Sequence, residues 1–304
     1  MSRKRLLIGC LACSGSLLAN VQGTERLVVA DAETGVRVAV DERHDLPALR
    51  IHVAGQAESD PGIFVLFPEH VTARERDQAE PRQLYLFRPG RQSGRPAWRR
   101  DGRSLEYRLD IAPGVTMLAR ATLEADGIRY TYRFENRSAT AYAKMQAVTD
   151  PRMESPAFRD VRLERSYVHH RDGFDLLASE TPGRTTMTSD QWLPNRHRVP
   201  YTWPVDHERV ARQSDGVTWY NKSRAVDEPF IATRSVDGRW IMATFSYDPG
   251  NVWSNPELTC QHADPEVALD PGQTRAYELK TLLFRGTLDE VLTKVKAQRP
   301  AMKP

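Results

Sequence analysis

The stretch that decides the fold is LEYRLDIAPGVTMLARATLEADGIRYTYRF, residues 105–134. Apolar and polar residues alternate in its first and last thirds, which is the period of a strand with one buried face. Pro113-Gly114 and Asp126-Gly127 supply turn residues between the three runs. The stretch therefore predicts a meander of three antiparallel strands whose apolar face is packed in a core.

The same pattern recurs along the chain. Further strands are predicted for LRIHVAG (49–55), GIFVLF (62–67), LYLFRPG (84–90), FIATRSVDGRWIMATFSY (230–247) and QTRAYELKTLLFRG (273–286). Thr287 and Glu290 fit a capping box, and the apolar spacing that follows predicts a helix that Pro300 ends. Strands do not alternate with helical patterns, so we predict an all-β fold, an antiparallel β-supersandwich with one C-terminal helix.

The N-terminus has the pattern of a secretory signal peptide. Arg3, Lys4 and Arg5 precede an apolar run, and Ala19 or Gly23 offers a small residue for cleavage. The run is too short and too interrupted for a stable membrane span. We expect a signal peptide over 1–23, a single β-sandwich domain over 24–304, and a periplasmic or secreted protein. A lipoprotein fits the spacing around the first two cysteines less well.

Charge and cysteine content limit the classes of function. The chain has 304 residues with 43 basic and 40 acidic side chains, and residues 1–23 carry three of the basic ones. The remaining chain is formally neutral, so we predict no nucleic-acid partner. We also predict no integral membrane segment after signal cleavage. Cys260 is then the one cysteine left, which excludes an internal disulfide framework.

Residues 150–227 show little alternation and many Pro, Arg, His and Trp residues, which is typical of a functional loop system. Aromatic faces and a ring of Arg, His and acidic side chains suit a saccharide, and arginine pairs well with a uronate carboxylate. The candidate catalytic residues are His169, His170, His197 and His262. The candidate substrate-binding residues are Arg171, Trp192, Arg196, Tyr201, Trp203, Trp219 and Asp264. The alternative is that these tryptophans only close the ends of the sandwich.

The stretch NVWSNPELTCQHADP, residues 251–265, raises a separate question. On a strand, Cys260, His262 and Asp264 would face one side, as metal ligands or a thiol–imidazole pair could. Known metal spacings and nucleophile motifs are absent, and Asp264-Pro265 indicates a turn. We predict no cofactor and no metal site here. Two interpretations stay open: a packed corner that orders the last strand, which is favoured, and a wall of a saccharide cleft formed by His262 and Asp264.

A resemblance enters at IRYTYRFENRSATAY, where Phe134, Asn136, Ser138 and Thr140 form an F-x-N-x-S-x-T pattern. This pattern resembles the galactose mutarotase-like (aldose-epimerase) superfamily. SPAFRDVRLERSYV (155–168), SNPELTCQHADP (254–265) and the following LDPGQT are similar to stretches in a group of exported bacterial proteins. The resemblance implies a large antiparallel supersandwich that binds carbohydrate. The usual epimerase histidine motif, N-H-x-x-F/W, is absent, so the resemblance assigns no catalytic residue.

Two hypotheses about function follow. The first is an exported carbohydrate-binding or carbohydrate-processing protein, with epimerase- or lyase-like acid/base chemistry and a saccharide partner that can contain uronate. The second is a non-catalytic envelope protein, a structural or partner-binding β-sandwich. An exposed aromatic groove favours the first hypothesis, and buried Trp192 and Trp203 favour the second.

Overall fold

The computed structural model describes residues 27–42, 46–84, 86, 96–202, 210–212 and 216–303. The predicted signal peptide lies outside these residues, as do Trp203 and most of the predicted strand at 84–90. In chain order, the described strands are β1 (Val28–Ala30), β2 (Arg37–Val40), β3 (Ala48–His52), β4 (Ile63–Glu75), β5 (Arg82–Leu84), β6 (Arg99–Asp101), β7 (Ser104–Ala112), β8 (Val115–Glu124), β9 (Gly127–Asn136), β10 (Tyr142–Arg152), β11 (Ser166–His170), β12 (Gly173–Leu176), β13 (Asn195–Pro200), β14 (Val210–Arg212), β15 (Thr218–Asn221), β16 (Phe230–Arg234), β17 (Trp240–Ser246), β18 (Asn251–Ser254), β19 (Val267–Leu269) and β20 (Thr274–Arg285). The helices are α1 (Ser189–Trp192) and α2 (Leu288–Gln298), and a 3-10 turn follows at Arg299–Met302.

The strands form three sheets within the described part of the chain. Sheet A has the order β1-β2-β3-β4-β10-β19, with β5 also paired to β4. Sheet B has the order β12-β11-β16-β17-β20-β9-β8-β7-β6. Sheet C has the order β14-β15-β13-β18. The predicted meander is the β7-β8-β9 part of sheet B, which confirms the all-β fold class.

Sheets A and B share one hydrophobic core. Three tyrosines of sheet B reach across it: Tyr107 donates to the carbonyl of Phe67 at 2.5 Å, Tyr132 bonds Thr149 at 2.8 Å, and Tyr277 contacts the backbone of Ala147. Burial raises the pKa of all three phenols well above the ordinary value, so they stay neutral donors. These bonds fix sheet A against sheet B, because a buried hydroxyl needs a partner.

The C-terminal helix is confirmed with its cap. The side chain of Thr287 accepts from the N–H of Glu290, and the Glu290 carboxylate accepts from the N–H of Thr287 at 2.7 Å. The apolar face of α2 packs on the outer face of sheet B through Val291 and Val295. The ammonium of Lys280 lies beneath the helix, fully bonded to acceptors: Glu124, Asp126 and Gln298.

The segment 150–227 differs from the predicted loop system, since it holds β11 to β15 and the one-turn helix α1. Sheet C also contains a parallel pair, β13 with β15, in an otherwise antiparallel fold. The sequence pattern did not reveal these strands because each has only three to six residues, too few for a clear alternation of apolar and polar residues. In the described residues, no helix is both long and apolar enough to cross a membrane.

Candidate functional site

A cleft of about 460 Å³ lies between the outer face of sheet A and the edge of sheet C. Strands β4 and β10 form its floor, and strands β15 and β18 contribute its wall. It is lined by Glu69, His70, Thr72, Gln83, Lys144, Gln146, Val148, Trp219, Pro249, Asn251, Trp253, Asp264 and Glu266. A second cleft of about 620 Å³ continues from it and shares Lys144, Asn251 and Glu266.

The wall of the cleft is aromatic. Trp219 and Trp253 lie with ring centroids 5.3 Å apart, and both side chains remain partly exposed. The guanidinium of Arg198 lies 4.6 Å over the ring of Trp219, on strand β13 next to β15. Burial lowers the pKa of Arg198 to about 10, so it stays a cation at neutral pH. Arg198 therefore covers one face of Trp219, and both tryptophans keep part of their surface exposed.

Trp253 is fixed to the residue behind it by backbone and ring contacts. The backbone N–H of Trp253 donates to the carbonyl of His262 at 3.1 Å, and the backbone N–H of His262 donates to the carbonyl of Trp253 at 3.0 Å. The two rings are nearly parallel, with an interplanar angle of 7° and centroids 3.8 Å apart. The bridge therefore places an indole over a buried imidazole, which lies just below the cleft.

His262 lies between two carboxylates. Its Nδ1 is 3.2 Å from Oδ2 of Asp264, and its Nε2 is 3.5 Å from Oδ1 of Asp150. Burial alone would lower the pKa of His262, but Cys260, Asp264 and Asp150 outweigh it and raise the pKa well above the ordinary value. Burial raises the pKa of Asp150, against the opposing effects of His262 and Arg152. The floor of the cleft is thus a compact, buried charge cluster.

Asp264 is oriented by the strand beside it. Its Oδ1 accepts from the N–H of Thr149 at 2.8 Å, and its carbonyl accepts from the side chain of Gln146 at 2.8 Å. Both partners lie on β10, so the loop after β18 is tied to the floor of the cleft. The loop is a packed corner, as the favoured prediction has it, and Asp264 also lines the cleft.

A β-bulge places Glu69 and His70 together. Asp150 pairs with Leu66 and Val148 pairs with His70, so four residues of β4 match two of β10. The carboxylate of Glu69 is 3.4 Å from Nδ1 of His70, and both residues line the cleft although they are consecutive in a strand. The hydrogen bond with His70 lowers the pKa of Glu69, so its carboxylate is ionised.

Arg152 links this pair to the buried cluster. Its Nε donates to Asp150 at 2.5 Å and its Nη2 to Glu69 at 3.2 Å. One guanidinium thus compensates two carboxylates at the end of β10. Cys260 is fully buried beside them, and it forms with Asp150 and His262 a group of possible metal ligands whose atoms lie within 4.8 Å of one another.

Of the residues predicted from the sequence, Asp264 and Trp219 line the cleft, and His262 lies directly beneath it, covered by Trp253. His169 and His170 lie at the far end of sheet B. There Nδ1 of His169 contacts Asp227 at 2.6 Å, and Nδ1 of His170 contacts the carbonyl of Ala225 at 2.9 Å. Neither histidine lines the cleft.

The remaining predicted residues serve packing or lie elsewhere. Trp192 is fully buried and donates to the carbonyl of Val161, so it offers no face to a ligand. His197 is buried against it, with ring centroids 4.7 Å apart. Arg196 pairs with Glu257, the hydroxyl of Tyr201 accepts from Arg299, and Arg171 is exposed in a turn. Trp203 lies outside the described residues.

The sequence reasoning missed Glu69, His70, Lys144, Asp150 and Trp253. A bulge in one strand and the pairing of β4 with β10 bring the first four together, and local spacing carries no signal of either. Trp253 stands in the stretch 251–265 and could have been found there. It lies two residues before Asn255-Pro256, and an aromatic residue next to a turn is exposed more often than one in the middle of a strand.

No protein-family model matches the chain, and no curated protein matches it. Solved structures with a similar chain path include a galactose mutarotase-like protein from Lactobacillus casei ATCC 334, with 10% identity, a TM-score of 0.47 and coverage of 85% of this chain and 99% of that one. A protein from Escherichia coli K12 provisionally assigned as an aldose 1-epimerase has 11% identity, a TM-score of 0.46 and coverage of 86% and 99%.

A third similar structure is the Slr1438 protein from Synechocystis sp. PCC 6803, with 13% identity, a TM-score of 0.46 and coverage of 86% and 96%. The Lactobacillus and Escherichia coli proteins carry names of the superfamily that the sequence resembles. Nothing about the substrate of this chain follows from likenesses of this size.

Proposed function

We propose that the protein binds a saccharide in the cleft between sheets A and C. The observation that carries the proposal is the wall of Trp219 and Trp253, partly exposed and opposite a polar strand face. A sugar ring has an apolar C–H face and a rim of hydroxyls, so it needs an aromatic surface on one side and hydrogen-bonding groups on the other. Gln146 and Asn251 supply amides for that rim.

The size of the cleft suits this class of ligand. Its volume of about 460 Å³ lies within the range of roughly 300–1,000 Å³ usual for small-molecule sites. The second cleft shares Lys144 and Asn251 with the first, so a chain of sugars can extend from one into the other. An oligosaccharide fits the combined groove better than a single sugar.

The proposal includes acid–base chemistry at Glu69 and His70. The ionised carboxylate of Glu69 can accept a proton, and the imidazole of His70 is a neighbouring group that can relay one. Both residues face the cleft, whereas His262 is covered by Trp253 and is 2% exposed. Epimerisation or elimination at a carbon next to a carbonyl or carboxylate needs such a pair.

Lys144 supports a uronate-containing ligand as the finer form of the proposal. Its ammonium pairs with the exposed carboxylate of Glu266 at 2.6 Å at the junction of the two clefts. The carboxylate of a uronate can take the place of Glu266 on this ammonium. We also propose that the protein acts outside the cytoplasm, for which the pattern of residues 1–23 is the support.

The binding test is a glycan array followed by calorimetry with the oligosaccharides that it selects. We expect Trp253→Ala and Trp219→Ala to weaken binding by about tenfold or more each. Trp98→Ala is the matched control, because Trp98 is also partly buried but packs on Phe67 and Tyr107 of the core and does not line the cleft. Absence of binding to any glycan, or equal losses in all three variants, contradicts the proposal.

The catalytic part is tested on pooled neutral and uronate-containing polysaccharides. We expect new reducing or unsaturated ends, or exchange of a ring proton with solvent, that disappear in Glu69→Gln and His70→Gln while binding persists. Binding without turnover in the native protein would leave a lectin-like role and contradict the acid–base assignment. For export, N-terminal sequencing of the protein from cell fractions should show cleavage near residue 23.

The second candidate function is a non-catalytic partner-binding sandwich. The observation that favours it is the complete burial of Trp192, which removes one predicted stacking residue from any ligand. A protein that binds no glycan but is captured by its envelope neighbours through the face of the cleft would establish this alternative.

A further inference from the structure

We propose that Asp150, Cys260 and His262 form a binding site for a divalent zinc-type metal ion directly beneath the saccharide cleft. One ligand atom of each residue lies within 4.8 Å of the others. The three residues are buried, with 2%, 0% and 2% exposure respectively. They come from β10 and from the loop after β18, so the two segments that build the cleft meet at these three side chains.

The distance between Asp150 and His262 is the first argument. Oδ1 of Asp150 and Nε2 of His262 are 3.5 Å apart, longer than an N–H···O hydrogen bond of about 2.7–3.2 Å. Oδ1 is buried and accepts no hydrogen bond from any residue that the structure describes. A tetrahedral zinc ion with bonds of roughly 2.0–2.2 Å separates its nitrogen and oxygen ligands by about 3.3 Å. The observed spacing fits two ligands of one ion better than a direct hydrogen bond.

The second argument is the orientation of the imidazole. Nδ1 of His262 is engaged by Asp264 at 3.2 Å, and Asp264 is itself held by the N–H of Thr149. Metal-binding histidines usually direct their other ring nitrogen to a carboxylate in this way. Nε2 is directed toward Asp150, and a metal ion that binds there would displace the proton from this nitrogen.

The donor set selects the class of ion. A thiolate and an imidazole favour zinc or cobalt over magnesium and calcium, which prefer oxygen ligands. Three protein ligands leave a fourth position of the tetrahedron for water. A divalent ion and Arg152 would supply three positive charges against the four negative charges of Asp150, Asp264, Glu69 and a Cys260 thiolate, so the ion would leave no excess of positive charge in the cluster.

The inference does not rest on saccharide binding. A metal here would tie the loop after β18 to β10 and so hold Trp253, which stacks on His262, in its place at the cleft wall. Metal content and glycan affinity are measured separately, so either proposal can fail alone.

The test uses the full-length protein, stripped with a chelator and titrated with Zn²⁺ or Co²⁺. We expect one equivalent of zinc to survive dialysis, and the cobalt form to show thiolate-to-metal charge transfer with visible bands of four-coordinate strength. Cys260→Ser should abolish the charge-transfer band, and Asp150→Asn should weaken zinc binding by at least about tenfold. His170→Asn is the control and should keep both properties, because His170 is a buried histidine that lies outside this cluster.

Metal content well below one equivalent after loading overturns the inference, and so does a native cobalt spectrum without thiolate charge transfer. Survival of the band in Cys260→Ser overturns it as well. The native spectrum needs no variant, so a substitution that fails to fold does not remove the test. A metal-free protein that still binds glycans would overturn the metal site and leave the saccharide proposal intact.

Discussion

His197 and His262 are equally buried and each lies against a tryptophan, yet their surroundings act on the imidazole in opposite directions. The His197 region consists of His197, Trp192, Tyr220 and Thr181, in which the ring is stacked between two aromatic rings and bonded to a hydroxyl. Burial, with Arg184 and Arg196 nearby, lowers the pKa of His197 to about 3.

The His262 region consists of His262, Trp253, Asp150 and Asp264. Here two carboxylates flank the ring and raise its pKa, although burial opposes them. A histidine packed against a tryptophan therefore does not by itself indicate a functional site. Each region holds one buried polar atom without a hydrogen-bond partner in the described part of the chain, Nε2 of His197 and Oδ1 of Asp150. What indicates function in the His262 region is the buried cluster of charged groups next to a partly exposed aromatic wall, whereas His197 is a neutral ring packed among aromatic side chains.

The largest expected effect is on stability, and it distinguishes Trp192 from Trp253. Trp192→Ala should lower the free energy of unfolding by about 4 kcal/mol, because it removes a fully buried ring and its bond to Val161. Trp253→Ala should cost less stability, since its ring is partly exposed, but more glycan affinity. Urea unfolding and calorimetry on both variants check this. Equal stability losses would remove the distinction between the regions.

The second largest expected effect is the difference in stability loss between His262→Phe and His197→Phe. With a chelator present, His262→Phe should lower the free energy of unfolding by about 3 kcal/mol, because Asp150 and Asp264 lose the cation between them. His197→Phe keeps an aromatic ring in the stack and loses one hydrogen bond, at about 1 kcal/mol. Urea titrations of both variants at pH 7 measure the difference, and a larger loss for His197→Phe would contradict it.

His197 should contribute to the change in unfolding free energy with pH. The unfolded chain protonates this residue below its ordinary pKa of 6.5, whereas the folded protein does so only near 3. The unfolded state binds more protons in this window, so stability present above pH 6.5 is lost as the pH falls toward 3. The slope from this residue is at most about 1.4 kcal/mol per pH unit.

Urea unfolding of the native protein and of His197→Phe between pH 7 and 4 isolates that slope. The variant should have the flatter profile over this range. Identical profiles for the two proteins would show that His197 is protonated in the folded state.

The smallest effect is expected for Thr181→Val, which removes the hydroxyl bonded to Nδ1 of His197 at 3.0 Å. We expect a loss of about 1 kcal/mol in unfolding free energy. Glycan affinity should not change, because Thr181 is not part of the cleft. A change in glycan affinity relative to the native protein, measured by calorimetry, would contradict the assignment of the His197 region to packing alone.

Much of the fold could be predicted from the sequence. The alternation in 105–134 and the turns at Gly114 and Gly127 are local signals, and the strands form where those signals stand. Gly127 illustrates why the turn needs glycine. Its φ is 151°, and a side chain there would meet the backbone of Thr281 and Leu282 in the neighbouring strand β20. The cap of α2 is equally local, since Thr287 and Glu290 are three residues apart.

The candidate site could be predicted only in part. His262 and Asp264 stand two residues apart, and the pattern of their stretch indicated a corner beside a cleft. The four histidines could not be ranked, because their difference lies in partners from distant strands. Thr149 and Asp264, for example, are 115 residues apart in sequence. A single-residue pattern also cannot show that a bulge turns both Glu69 and His70 toward one side.

The sequence by itself determined the strand periodicity, the hairpin turns, the capped helix and the even balance of charge after residue 23, because each depends on neighbours along the chain. The tertiary structure alone decided which histidine is flanked by acids, which tryptophan faces a cleft, and that Asp150 lies against Cys260 and His262. These are properties of sheet pairing, which brings distant residues within a few ångströms and sets the burial and electrostatics of each side chain.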